Sequence, residues 1–299
     1  MKRKIIRQGN NTLTITLPRQ WTTDFKVKAG DELDVELKGN RIILSTGKSL
    51  TNERISKDIA NLTSILPIYI LMMYRKGYDE IELSFDNPKL LMVISNVVRD
   101  IGFHLLDQGK NQCTLKALSD VDNIESGEMI RKLFLSIKIK LDKIIESLEN
   151  KDPYLLQSII VMNKIPARIT NFCYRLVSKK RIPGLETYYI PILRDLENLD
   201  NILNLFIESI TDIKNIPNIV KIIKTIEEFK KLFELYYISH FSDDLKNFPR
   251  LMADTKTFLE NIYLQATDQT IEENKMFLLL NNSSLHLDNL INTTFLMKI

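Results

Sequence analysis

The chain is predicted to be a multidomain α+β protein: a small all-β unit, then a small α/β module, then an all-α remainder. Three observations predict it. Apolar and polar residues alternate strictly near the start, glycine disappears after Gly184 so that 115 residues run without one, and apolar residues from about residue 130 onward recur at spacings of three and four. Period-two alternation marks a half-buried strand, whereas the three-and-four spacing marks one face of a helix. A glycine-free stretch suits helices because glycine in a helix interior costs about 1 kcal/mol relative to alanine.

In residues 1–49, Leu13, Ile15 and Leu17 alternate with Thr12, Thr14 and Thr16 as one strand. Val35 and Leu37 repeat the pattern, Gly39-Asn40 supplies a turn that tolerates positive φ, and 41–44 continues as a further strand. About fifty residues enclose too little core to stand alone, so pairing with a second copy is a physical expectation.

The second zone, 52–118, reads as a helix over 52–76 closed by Gly77, then a strand over 81–85. Asn87-Pro88 opens a second helix that ends near Gly102, and 103–106 with 113–115 form a hairpin.

The third zone, 126–299, is helical throughout. Ile130, Leu133, Phe134, Ile137, Leu141, Ile144, Ile145 and Leu148 fall on one helix face, and Ile219, Ile222, Ile223, Ile226, Phe229, Leu232 and Phe233 on another. Breaks at Asp152-Pro153, Ile182-Pro183-Gly184, Asn215-Ile216-Pro217, Phe248-Pro249 and around Asp268 delimit five or six helices. The segment from Asp200 to Asn204 (DNILN) resembles that from Asp288 to Asn292 (DNLIN), 88 residues later. Two related three-helix bundles, about 126–213 and 215–299, are the simplest expectation.

The formal net charge is only +3, but its distribution is uneven: residues 1–50 hold ten Lys or Arg against five Asp or Glu, and the remaining 249 residues hold 31 against 33. Lys2, Arg3, Lys4 and Arg7 all precede the first acidic residue, Asp24. A basic opening strand fits a polyanionic partner, and its alternative is a solvated, solubilising edge. Cys113 and Cys173 form no CxxC and no secreted pattern, so neither a disulfide framework nor a zinc finger is supported and a cytoplasmic protein is expected. The most apolar run, 65–74, is interrupted by Pro67 and falls short of the roughly 20 residues that cross a bilayer. No membrane insertion and no targeting segment are expected.

The strongest constellation runs Gly9-Asn10-Asn11-Thr12-Leu13-Thr14-Ile15-Thr16-Leu17-Pro18-Arg19-Gln20-Trp21, then Val27-Lys28-Ala29-Gly30-Asp31-Glu32-Leu33, with Gly39, Arg41 and Ile43 beyond it. This is a loop, a proline-ended strand, a short turn of helix around the only tryptophan and a Gly-Asp turn. It resembles the AbrB/SpoVT swapped-hairpin family over about 45 residues. The resemblance implies that two chains interleave into one small β-barrel, a homodimer whose first strand and loop face DNA. By position it assigns DNA contacts to Lys4, Arg7 and Arg19, with Lys2, Arg3 and Asn11 next. Lysine and arginine neutralise phosphates and release counterions, so six such contacts in a dimer give a log-log salt slope of about −5.

A second resemblance rests on Tyr74-Arg75-Lys76-Gly77-Tyr78-Asp79-Glu80-Ile81, then Ile101-Gly102-Phe103-His104, then the paired helical sets. These look like archaeal regulators that fuse an AbrB-type hairpin to a PhoU-like domain. The resemblance implies a role in phosphate uptake or homeostasis, with a phosphate transporter ATPase or a kinase as partner. Many PhoU-like proteins carry metal on acidic ExxxD motifs, which are damaged in this chain. Ser284 stands where a glutamate is expected before Asp288, and Asn201 follows Glu197 at the aspartate position. Hard cations need several oxygen ligands with net negative charge. No cofactor is therefore expected, with Asp200, Asp288 and Asn292 the residual metal candidates, which otherwise read as polar helix residues.

Gly47-Lys48-Ser49 imitates the end of a phosphate-binding loop, but the first glycine of that motif would fall on Ile42. His104, His240 and His286 are isolated in sequence, and no GxSxG or glycine-rich dinucleotide loop exists. The sequence argues for no enzyme. It reads as a DNA-binding regulator with a helical sensing or interaction domain. The alternative is a PhoU-type adaptor that does not bind DNA, for which the acidic-aromatic connector at 241–248 offers a contact.

Overall fold

A computed structural model describes residues 2–9, 12–46, 53–118, 126–162, 164–180, 185–210, 216, 218–265 and 271–299. The chain divides into two compact units, Met1–Glu53 and Arg54–Ile299.

The first unit holds two antiparallel hairpins and a short helix. Strand β1 (Ile6–Gln8) pairs with β2 (Thr12–Thr14), α1 (Arg19–Asp24) follows Pro18, and β3 (Asp34–Lys38) pairs with β4 (Arg41–Ser45). Gly39 turns β3 into β4 at φ +56, a conformation that glycine adopts without a Cβ clash. The two hairpins form separate two-stranded sheets, and among the described residues no closed barrel is seen in the single chain.

The second unit begins with a four-stranded sheet of order β5-β6-β8-β7, made of β5 (Arg54–Asp58), β6 (Glu80–Ser84), β7 (Phe103–Gln108) and β8 (Gln112–Ala117). Strands β5 and β6 run parallel around the crossover helix α2 (Leu66–Lys76), and the other pairings are antiparallel. The expected helix over 52–76 is thus corrected: among the described residues its first part is β5, and α2 begins only at Leu66. Pro67 explains the start, because a proline in the first turn of a helix gives up an N–H that has no partner there anyway. Helix α3 (Leu90–Ile101) starts three residues after Asn87, whose Oδ1 accepts the Lys89 N–H at 3.0 Å and holds the turn ahead of it. Both helices end on left-handed glycines, Gly77 and Gly102. Ile81, Leu83, Cys113 and Leu115 face the buried residues of α2 and α3, while Glu82, Ser84, Gln112 and Lys116 are exposed on the opposite face.

Seven helices follow among the described residues: α4 (Ser126–Asn150), α5 (Pro153–Met162), α6 (Lys164–Lys180), α7 (Leu185–Ser209), α8 (Ile219–Phe241), α9 (Phe248–Gln265) and α10 (Ile271–Lys298). Segments α5 and α6 are separated only by residue 163, which lies outside the described residues. All eight stripe residues of α4 are buried. They join α6, α7, α8, α9 and α10 in one continuous apolar core, with α7 and α10 packed extensively on each other.

Polar contacts tie the α/β part to these helices. Arg75 on α2 donates to Asn171 Oδ1 on α6 at 2.7–2.8 Å and to both carboxylate oxygens of Glu197 on α7, and its guanidinium lies 4.3 Å from the Tyr174 ring centre. Arg175, fully buried, donates to the carbonyls of Tyr74 and Tyr78 and to Asp79 Oδ1 at 2.5 Å. Lys179 reaches the same carboxylate at 2.6 and 2.7 Å. The segment from Tyr74 to Asp79, singled out in the sequence, is the docking motif between the two parts of this unit.

Candidate nucleic-acid interface

Lys2, Arg3 and Lys4 lead into β1, Arg7 lies within it, and Arg19 opens α1. All five are exposed. Asn11, the sixth predicted contact, and Gly47-Lys48-Ser49 lie outside the described residues. Register places Arg7 opposite Leu13, and Ile6 opposite Thr14. Because neighbouring residues of a strand point to opposite faces, Arg7 and Leu13 share one face of the hairpin while Ile6, Gln8, Thr12 and Thr14 share the other. The hairpin therefore gathers Arg7 with the strand leader that carries Lys2, Arg3 and Lys4, whereas Arg19 belongs to a separate element.

Apolar side chains of the same unit are exposed as well. Leu13 is 68%, Val35 60% and Leu37 75% exposed, with Ile5, Ile6, Ile15 and Ile42 similar, and none of the unit's described residues is buried. Trp21 packs against Phe25, 5.6 Å between ring centres, and both stay half-buried. Exposed basic side chains beside an uncovered apolar surface are what a unit shows when a second chain completes its core and a polyanion meets its rim.

The three residual metal candidates are engaged elsewhere. Lys140 on α4 donates to Asp200 Oδ1 at 2.5 Å and to Asn204 Oδ1 at 2.6 Å inside the core. Burial pushes the Asp200 carboxyl up and the Lys140 ammonium down, against the attraction each exerts on the other. On α10, Asn292 Nδ2 donates to Asp288 Oδ2 at 3.0 Å. Among the described residues no three His, Cys, Asp or Glu side chains converge as a metal site.

Two histidines that looked isolated in sequence have partners from distant helices. His286 lies 2.9 Å from Asp195 across the α7–α10 contact. His240 sits between Tyr236 and Thr294, 3.0 Å from the latter, and burial holds its pKa down to about 4, helped by Lys298 and Arg131. Burial likewise pushes the Cys113 thiol up to about 11 and that of Cys173 to about 12. Sequence spacing gave no signal for these pairs, since each joins residues more than fifty positions apart or is set by packing alone.

Comparison with known families matches residues 6–51 to the family described as antidote-toxin recognition MazE, bacterial antitoxin. No curated protein and no solved structure matches the chain. An N-terminal domain of MazE/AbrB type is therefore present, and it covers the hairpins and the helix between them. Such a domain fits a DNA-binding regulator and is typically not an enzyme. No helix among the described residues is long and apolar enough to cross a membrane.

Proposed function

We propose that the chain is a homodimeric, cytoplasmic DNA-binding transcription regulator in which two Met1–Glu53 units interleave into one swapped-hairpin barrel. The observation that carries this reading is the combination of exposed Lys2, Arg3, Lys4, Arg7 and Arg19 with strands whose apolar side chains are uncovered in a single chain. Arg54–Ile299 receives the signal. Its resemblance to PhoU-like regulators supports phosphate supply as that signal, with a phosphate transporter ATPase or a kinase as the second partner.

The test is a mobility-shift titration of the full chain against genomic fragments at several salt concentrations. The native chain should bind with a log-log salt slope of about −5. Lys4→Ala with Arg7→Ala removes four phosphate contacts per dimer and should flatten that slope to between about −1 and −2. An unchanged slope would remove these residues from the interface. Absence of any salt-dependent DNA affinity, together with binding of the helical unit to a transporter ATPase or kinase, would instead select the adaptor reading.

The description of the matched family favours a second reading, an antitoxin that binds a protein toxin. Its discriminating result is stoichiometric capture of a toxin through Met1–Glu53. The 246 residues of Arg54–Ile299 weigh against it, because antitoxins with this hairpin are usually short.

A further inference from the structure

Helix α3 ends at Gly102, and the chain turns directly into β7, leaving a groove of about 700 Å³ bounded by the end of α3, β7, the start of α4 and the start of α6. The groove lies wholly within the Arg54–Ile299 unit. Its wall is apolar: Val98, Phe103, Leu118, Met129, Ile169 and Phe172 contribute to it. Val98 and Phe103 belong to the core of the α/β part, Met129 and Ile169 pack on the helical core, and Phe172 forms a small cluster with Leu176 and Met129, so the groove runs where the two cores adjoin. Leu118 keeps 66% of its surface exposed.

The rim has the opposite character. Its charged side chains among the described lining residues are Arg99 and Arg168. Arg168 Nη2 donates to the Arg99 carbonyl at 2.9 Å, which draws residues 69 positions apart to one edge of the groove. That bond closes one carbonyl of the last turn of α3, a structural role sufficient for Arg168. It explains neither the second guanidinium on the same rim nor the apolar groove beneath it.

Guanidinium groups recognise carboxylates and phosphates through paired N–H donors, and they do so best where an apolar wall excludes water from one side. We propose that this groove binds a small amphipathic anion, an apolar body laid on the Phe103, Met129 and Phe172 wall with a carboxylate or phosphate head between Arg99 and Arg168. The site stands whether or not Met1–Glu53 binds DNA, and its test reads ligand binding alone.

Calorimetric titration of the full chain with octanoate, octyl phosphate, octanol and inorganic phosphate provides that test. Octanoate or octyl phosphate should bind about tenfold or more tightly than octanol, the difference that a charge-assisted hydrogen bond supplies, and also more tightly than inorganic phosphate. The better of the two octyl anions identifies the head group. Arg99→Gln, at an exposed position whose only described side-chain bond is a 3.5 Å contact to Asn96, should bring the anion down toward octanol without changing the melting temperature. Leu118→Asn should weaken the octyl ligands together and leave inorganic phosphate unchanged. Equal binding of octanol and octanoate, equal binding of inorganic and octyl phosphate, a preference for the anion that survives Arg99→Gln, or no binding of any octyl ligand would each overturn the assignment.

Discussion

Met1–Glu53 and Arg54–Ile299 solve the same problem in opposite ways. The larger unit buries its apolar stripes within one chain, down to a fully buried Phe134, Phe229 and Phe277. The smaller one leaves Leu13, Val35, Leu37 and Ile42 more than half exposed. Each such side chain gains about 1.5–3 kcal/mol when taken out of water, so seven of them supply on the order of 10 kcal/mol to a partner surface. That is comparable with the roughly 4–15 kcal/mol that association costs. The difference bears on the proposed dimer: the larger unit buries its apolar core within one chain, whereas the smaller would complete its core with the proposed second copy. In such a unit, assembly and folding are one equilibrium.

The comparison is most easily broken at Leu13 and Ile15. Leu13→Asp with Ile15→Asp should weaken self-association at least about 100-fold in sedimentation experiments, since burying two unpaired carboxylates replaces two favourable transfers. The thermal transition of the helical unit should stay where it is. A dimer that survives the double substitution would mean that the exposed strands are not its interface.

Arg175→Ala probes the opposite region. It removes the Arg175 partner of the partly buried Asp79 and should cost about 3 kcal/mol in urea unfolding, with no change in self-association. A loss below about 1 kcal/mol would show that the two parts of the larger unit are held by apolar contacts and not by this network.

His240 sharpens the contrast through pH. Its pKa falls from 6.5 in the unfolded chain to about 4 in the folded one, so the unfolded chain binds the extra proton between these values. Stability from this residue is complete above pH 6.5 and is lost as pH falls toward 4, by on the order of 3 kcal/mol. His240→Asn should remove that slope from the larger unit's unfolding curve, and an unaltered slope between pH 6.5 and 4 would place its origin elsewhere.

The smallest effect is expected at Gly77. Its φ of +104 suits glycine alone, and a Cβ there would meet Lys179 Cγ at 2.9 Å, near the root of a side chain whose Nζ is bound to Asp79. Gly77→Ala should cost about 1–2 kcal/mol in unfolding experiments, mostly from the backbone.

Period and punctuation made much of this legible from residues alone. The α4 stripe, the glycine stops of α2 and α3, the β7–β8 hairpin and the N-terminal hairpins all follow from neighbours within about ten positions. The errors arose where local signals competed. Residues 54–58 carry no helix breaker and so read as helix, yet they pair with β6 because an open strand edge lies beside them.

The candidate interface was legible in part: Lys2, Arg3, Lys4, Arg7 and Arg19 are exposed, as their clustering implied, and Asn11 lies outside the described residues. The uses of other side chains were not legible. Asp200 looked like a remnant metal ligand until Lys140, sixty positions earlier, was found on it. Arg75 and Asp79 looked like part of a family motif, and only packing shows that Asn171, Glu197 and Arg175 receive them.

By itself the sequence determined which faces of which elements are apolar, where helices stop, and that the excess positive charge sits at the start. Only the tertiary structure decided which buried charges find partners, and that Arg99 and Arg168 share the rim of one groove. The reason is physical. Periodicity is a property of contiguous residues and survives in a single chain read from end to end, whereas a hydrogen bond across sixty to a hundred positions exists only once packing has brought its elements together.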